Sequence, residues 1–278
     1  MGDGYTVMDF GSFEAAADNL IEHLFSVPPF NIGLFPQYFN IYYVYLNSPE
    51  QGIGHGKSKN TAFRCYFPSY PAGAIAFDDT NSFGGRRAHN PFEVAQQYIP
   101  GINLNNTILV VLANDTQTGY TTGFRNQEPY GHWISVISVP SDPEEFKRLV
   151  LREIGGKNFG RLAQEDGVLY SLNDGIAFLI TQMYNLYGFY ANVDITDDEN
   201  QVRWAHFLKH PYINKYPHLG VFPGGFGYAM HVYHPDEDNV MLRHGAFRYN
   251  EPSQEAIIKR IYQIHGWAWD DNAFKTYF

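Results

Sequence analysis

The chain has 278 residues, 44% hydrophobic and 17% charged, which excludes a disordered polymer and leaves length for one large core or two smaller ones. Its formal net charge of −10, with Arg86-Arg87 as the longest basic cluster, argues against a nucleic-acid partner, because neutralising phosphates takes a basic face. A lone cysteine, Cys65, excludes an internal disulfide, and no uncharged apolar run reaches the roughly 18 residues of a membrane span.

Met1 to Phe10 has neither the basic start nor the apolar run of a signal peptide, which leaves a cytosolic protein or a trimmed chain. Asp9 to Val27 reads as a helix: Phe13, Ala16, Ala17, Leu20, Ile21 and Leu24 fall on one stripe, and Pro28-Pro29 stops it. Phe39 to Leu46, rich in Tyr, Ile and Val, reads as a strand. Gln51 to Asn60 and Asn81 to Asn90 carry glycines and read as loops. Pro91 to Ile99 reads as a short helix with proline in its first turn. Thr107 to Ala113 is a continuous apolar run, as a strand buried on both faces requires, and His132 to Val139 is a second strand. Helices alternating with buried strands predict an α/β fold. The last 110 or so residues read as loop-rich, with helices near Asn200 to Lys209 and Ser253 to His265. The 21 Tyr and 22 Phe fit an aromatic core, or else a cleft that stacks sugars or peptides.

A helix is expected from about Ser141 to Ala163. Ser141-Asp142-Pro143-Glu144-Glu145 supplies a cap, a first-turn proline and two acids against the helix dipole. Phe146, Leu149, Val150 and Ile154 mark its buried stripe, and Glu153 lies on or beside that stripe. A carboxylate there is costly unless paired; Lys157, four residues on, is a ready partner. Gly155-Gly156 interrupts the helix and suggests a local bulge or close backbone approach.

The run Arg152-Glu153-Ile154-Gly155-Gly156-Lys157-Asn158-Phe159-Gly160-Arg161-Leu162-Ala163-Gln164-Glu165-Asp166 resembles the zinc signature of the IgA-peptidase family of metallopeptidases, roughly H-E-x-G-(G)-H-x-F-G-x-L-A-D-E-Y. Other pieces in the family's order include Met1-Gly2-Asp3-Gly4-Tyr5-Thr6, Asn105-Asn106-Thr107, Tyr190 to Thr196, Arg203 to Leu208, Met241-Leu242-Arg243 and Pro252 to Ile257. The resemblance implies a zincin-like α/β domain: a mixed sheet, an active-site-type helix ending an N-terminal part at 1–165, and an irregular C-terminal part at 166–278 closing the cleft. It implies an extracytoplasmic setting as well.

The departures decide the expected chemistry. The family's zinc-binding His positions fall on Arg152 and Lys157, its Asp ligand on Gln164 and its closing Tyr on Asp166; only the general-base position is kept, as Glu153. No His occurs from Trp133 to Ala205 to rescue the site in another frame. Arg offers no lone pair, and Lys must first lose its proton. Without zinc the attacking water keeps a pKa of about 15.7 instead of about 7. The expectation is a pseudo-peptidase without zinc that binds a peptide, protein or glycan, with Arg152 and Lys157 neutralising Glu153 in place of the ion.

Two alternatives stand beside it: an active metallopeptidase with an unusual site using His206 and His210, and a purely structural module. Clustering of His231, His234 and His244 is weighed as a metal site and disfavoured, as is calcium at Asp78-Asp79 or Asp197-Asp198-Glu199. Cys65 reads as a buried inert thiol, Met241 as core, and Gly224-Gly225 with Gly227 as a turn.

Overall fold

The computed structural model describes residues 1–78, 88–125, 132–169, 172–209 and 214–270. Arg86-Arg87, Asp79 and His210 lie outside the described residues. The fold is mixed α/β and divides into two compact units: Met1–Ser26 with Pro36–Ile154, and Val27–Phe35 with Gly155–Phe278.

The first unit holds β1 (Gly2–Asp3), α1 (Phe10–Leu24), β2 (Gly54–His55), β3 (Cys65–Phe67), β4 (Ala76–Phe77), α2 (Pro91–Tyr98), β5 (Leu109–Ala113), β6 (Tyr120–Arg125), β7 (His132–Ser138) and α3 (Pro143–Leu149). Its main sheet has the order β1-β5-β7-β6. The apolar run Leu109–Ala113 sits inside this sheet, parallel to both β1 and β7, with Leu109 opposite Ile134 and Ala113 opposite Ser138. β6 then pairs antiparallel with β7 and makes the sheet mixed. The stripe on α1 buries Phe13, Ala16, Ala17 and Leu24. A capping box of Thr6 and Asp9 sets the entry to α1. A second sheet, β2-β3-β4, is anchored to Asp3, whose buried carboxylate accepts from the Phe63 and Cys65 amides at 2.8 Å each and from the Thr61 hydroxyl at 3.0 Å. Burial raises the Asp3 pKa against the pull of those three donors. Cys65 is buried beside it.

The second unit holds β8 (Gly167–Leu169), α4 (Asp174–Tyr187), β9 (Phe222–Gly225), β10 (Gly227–His234) and α5 (Glu251–His265), with sheet order β8-β10-β9. Ala163, Ile180, Val193 and Val232 form a core cluster here. Phe30 meets Phe159 and Tyr249 edge-on at centroid distances of 5.7 and 6.1 Å, which fixes the Val27–Phe35 excursion within this unit.

Three expected elements are corrected. Phe39 to Leu46 joins no strand ladder. Its side chains hold it instead, with the Tyr43 hydroxyl donating to Asp18 and the Tyr45 hydroxyl to the Thr6 carbonyl. β-propensity records fit to a half-buried pleat and supplies no partner strand. Asn200 to Lys209 forms successive turns closed by bonds between residues three apart, in place of a helix. The Arg203 amide is taken by Asp194 Oδ2 at 2.9 Å, and the Trp204 indole reaches the Gly220 carbonyl at 2.8 Å, so side-chain ties compete with the helical ladder. The helix after Ser141 is α-helical only through Leu149; from Val150–Phe159 it is a π-helix, ending before Gly160.

Candidate functional site at the π-helical segment

Asp142 caps α3 by accepting from the Glu144 amide at 2.9 Å, and Pro143 begins the helix, as the residue types dictate. The ladder then widens to the i→i+5 pattern, and Gly160 N–H still donates to the Gly155 carbonyl at 2.9 Å. One turn of such a helix takes one residue more than an α-turn. Gly155-Gly156 lies within this π-helical run. π-Helical turns are rare, and as single-turn bulges in α-helices they are frequent at functional sites.

In the first unit, the Glu153 carbonyl accepts from the Ser135 hydroxyl on β7 at 3.1 Å, which ties the helix to the sheet. The Glu153 side chain is fully buried, and its Oε1 accepts from Arg152 Nε at 3.0 Å. Arg152 is itself only 6% exposed, and its guanidinium lies over the Tyr120 ring, 4.7 Å from the centroid. The buried carboxylate foreseen on the stripe therefore has the neighbouring guanidinium as an ion partner.

These groups do not fit a zinc ion. Arg152 presents N–H donors where a ligand needs lone pairs, and its Nε is committed to Glu153. Among the described residues, no three His, Cys, Asp or Glu side chains are grouped to hold a metal. Lys157 and Gln164, both half-buried, belong to the second unit.

What the sequence left unmarked lies next to Gln164. Glu165 is fully buried and accepts from Asn192 Nδ2 at 2.8 Å, Asn239 Nδ2 at 2.7 Å and Asn250 Nδ2 at 3.1 Å, with His234 Nδ1 at 3.4 Å. Each amide has a second task. Asn192 also bonds both backbone groups of Ala163 at 2.8 Å, the Asn239 oxygen accepts from the Met241 amide at 2.9 Å, and the Asn250 oxygen caps α5 through the Ser253 amide at 2.9 Å. One carboxylate thereby ties together four stretches of chain. The signals that were available are weak: Asn250 three residues before Ser253 has the spacing of a cap, but nothing in the sequence joins it to Glu165.

His234 Nδ1 faces Glu165 and the Asp236 carbonyl, and among the described residues no metal-holding group includes His231, His234 or His244. Burial works to lower the His234 pKa, but the bond to and charge of Glu165, with Asp236, outweigh it and hold the pKa above the ordinary value. Asp236 is also raised, by burial above all. Both groups bind protons more tightly folded than unfolded. The His234 contribution is therefore greatest below the ordinary His value of about 6.5 and declines as pH rises through its raised one, while that of Asp236 is full only below the ordinary Asp value of about 3.9 and declines from there. Urea midpoints are expected to fall between pH 6 and pH 8.5, and a His234→Asn variant should flatten that fall; an unchanged slope in the variant would rule out His234 as its source.

His206 lies 3.3 Å from Glu255, and Lys259 Nζ 3.0 Å from the same carboxylate, on a cleft of about 450 Å³ also lined by Tyr184, Arg203 and Trp204. Burial opposes ionisation of Glu255, yet His206 and Lys259 prevail and hold its pKa below the ordinary value. Asp198 accepts from the Asn200 amide at 2.9 Å as a turn cap, and Asp78 accepts from the buried Ser58 hydroxyl. No helix among the described residues is long and apolar enough to cross a membrane. Comparison with protein-family models and with curated proteins finds no match to this chain.

Proposed function

We propose that this chain is a pseudo-peptidase: a protein resembling IgA-peptidase-type zinc metallopeptidases that binds a peptide, protein or glycan without cutting it. One observation carries the reading. The carboxylate at the general-base position, Glu153, is buried in an ion pair with Arg152 at 3.0 Å, and that arginine occupies the position of the first metal ligand in the resemblance. A base held by a guanidinium has no polarised water to deprotonate, and a guanidinium ligates no ion. The loss of the remaining ligand types, at Lys157 and Gln164, supports the same reading.

An extracytoplasmic setting accompanies this proposal by resemblance alone. The test is metal content together with cleavage. Protein purified without chelators and dialysed against zinc should hold far less than one equivalent and leave a diverse peptide library intact. Zinc at one per chain with cleavage that chelation abolishes would overturn the proposal. The triple variant Arg152→His, Lys157→His, Gln164→Asp should gain zinc affinity if these are the former ligand positions.

A further inference from the structure

The segment after Phe39 is a strand that lacks a neighbour. It runs from 39 to 48 without turn or bend, and its later part alternates as a strand does: Val44, Leu46 and Ser48 are buried, while Tyr43 and Asn47 are exposed. Val44 and Leu46 join the core of the first unit, which fixes the register of the segment. The backbone is held only at its ends, where the Phe39 amide donates to the Pro36 carbonyl and the Ser48 amide to the Tyr5 carbonyl. Among the described residues, no backbone N–H or C=O of residues 40–47 has a hydrogen-bonded partner. A row of open groups on extended chain is a template for another strand.

An apolar cavity of about 170 Å³ lies beside this row, within the first unit. Residues 40–44 line it together with Leu20 and Ile21 of α1 and Leu109 and Val110 of β5. Ile41 and Tyr42 are 48% and 58% exposed, so the segment that borders the cavity also faces solvent. An apolar cavity of about 150 Å³ takes up a benzene ring, so this one has room for one large apolar side chain. The outer face of α1 supplies charge. Glu14, Asp18 and Glu22 follow at every fourth position and are exposed, and among the described residues none of them is in an ion pair. Like charges at this spacing repel one another until a cation joins them. The Tyr43 hydroxyl donates to Asp18 at 2.6 Å, which sets this acidic stripe against the open segment. Burial, then Asp18, then Glu14 push the Tyr43 phenol up to about 12.

We propose that residues 40–46 bind a basic partner segment by strand addition, backbone to backbone. One large apolar side chain of the partner, a phenylalanine or leucine, fills the cavity, and its lysines or arginines meet Glu14, Asp18 and Glu22. The site goes beyond the pseudo-peptidase reading and does not rest on it, because it uses neither Glu153 nor the former ligand positions.

Fluorescence anisotropy of the full chain tests it, with a labelled heptapeptide that alternates lysine with valine and has phenylalanine at its centre. Binding should saturate. Alanine for the central phenylalanine, glutamate for the lysines, or N-methylation of the peptide backbone should each weaken it by about tenfold or more. Hydrogen exchange of the saturated complex should show new protection at 40–46. Glu14→Gln with Glu22→Gln, on an exposed helix face, should melt no lower than the parent and bind several-fold more weakly at low salt, with the difference shrinking at high salt. Tyr42→Pro removes an open amide and should weaken binding as well; if it fails to fold, the N-methylated peptide tests the backbone contribution by itself. Zinc content and peptide cleavage bear on none of these outcomes. Absence of saturable binding, equal affinity for the N-methylated peptide, or protection gained only outside 40–46 would overturn the site. Sedimentation of the free chain as a dimer with 40–46 already protected would give the row to a second copy and overturn it too.

Discussion

Replacing Glu165 with alanine is expected to lower stability by about 3–5 kcal/mol, the range for breaking a buried, hydrogen-bonded charge. The carboxylate accepts from Asn192, Asn239 and Asn250 and faces His234. Truncation leaves an N–H of each of three buried amides without its acceptor and leaves the His234 imidazole with the Asp236 carbonyl only. Each orphaned buried donor costs about 1–3 kcal/mol, less whatever repacking and incoming water recover. Glutamine should be a poor substitute, because every partner is a donor and its own amide nitrogen would face another N–H. Hydrogen exchange locates the effect. Peptides covering 161–169 and 236–254 should lose protection in Glu165→Ala, while those of β5 and β7 keep it. A loss under about 1 kcal/mol would show that the carboxylate is not the organising group.

The second large effect is expected at Arg152. Both members of the Arg152–Glu153 pair are buried, so Arg152→Ala strips a guanidinium from a buried carboxylate and should cost about 3–5 kcal/mol. The pair as a whole is a different matter. Its attraction is spent largely against desolvation, so replacing both members by apolar residues of similar volume removes both terms. Arg152→Met combined with Glu153→Leu should therefore be clearly more stable than Arg152→Ala, and within about 1–2 kcal/mol of the parent. Denaturant midpoints at constant m would measure this. If the double variant is as unstable as the single one, the guanidinium matters for its packing on Tyr120, 4.7 Å away, more than for its charge.

Elements that announce themselves by local pattern were legible in the sequence. The stripe of α1, the apolar run of β5, the capped start of α3 and the helix at Glu251–His265 follow from side-chain periodicity and first-turn chemistry. α4 was overlooked although Asn173 caps it and Gly188, at φ 69°, closes it; its apolar residues lie on more than one face, with Phe178 and Leu186 exposed, so no single stripe stands out. β6 was missed because Tyr120–Arg125 carries threonines and a glycine and takes its place only by pairing with β7. The π-helix is a matter of one residue too many in a turn, which the paired glycines hinted at without specifying.

The candidate site was legible to the same depth. That Glu153 is buried followed from its place beside the stripe. The adjacent Arg152 is one observed partner, through a side chain that folds back on its neighbour, a pairing that helical spacing does not point to. Glu165 was passed over because nothing local distinguishes it. Its partners lie 27, 74 and 85 residues farther along the chain, beyond the range of any pattern in a window.

Those separations also bear on how the second unit is made. Contacts between residues 74 and 85 positions apart require large loops to close before they return any stabilisation, and topologies dominated by such contacts fold slowly. During synthesis, Glu165 leaves the ribosome long before Asn250 does, and until then its negative charge has no dry place to go. The carboxylate's full set of partners is therefore assembled only once the start of the last helix has been made.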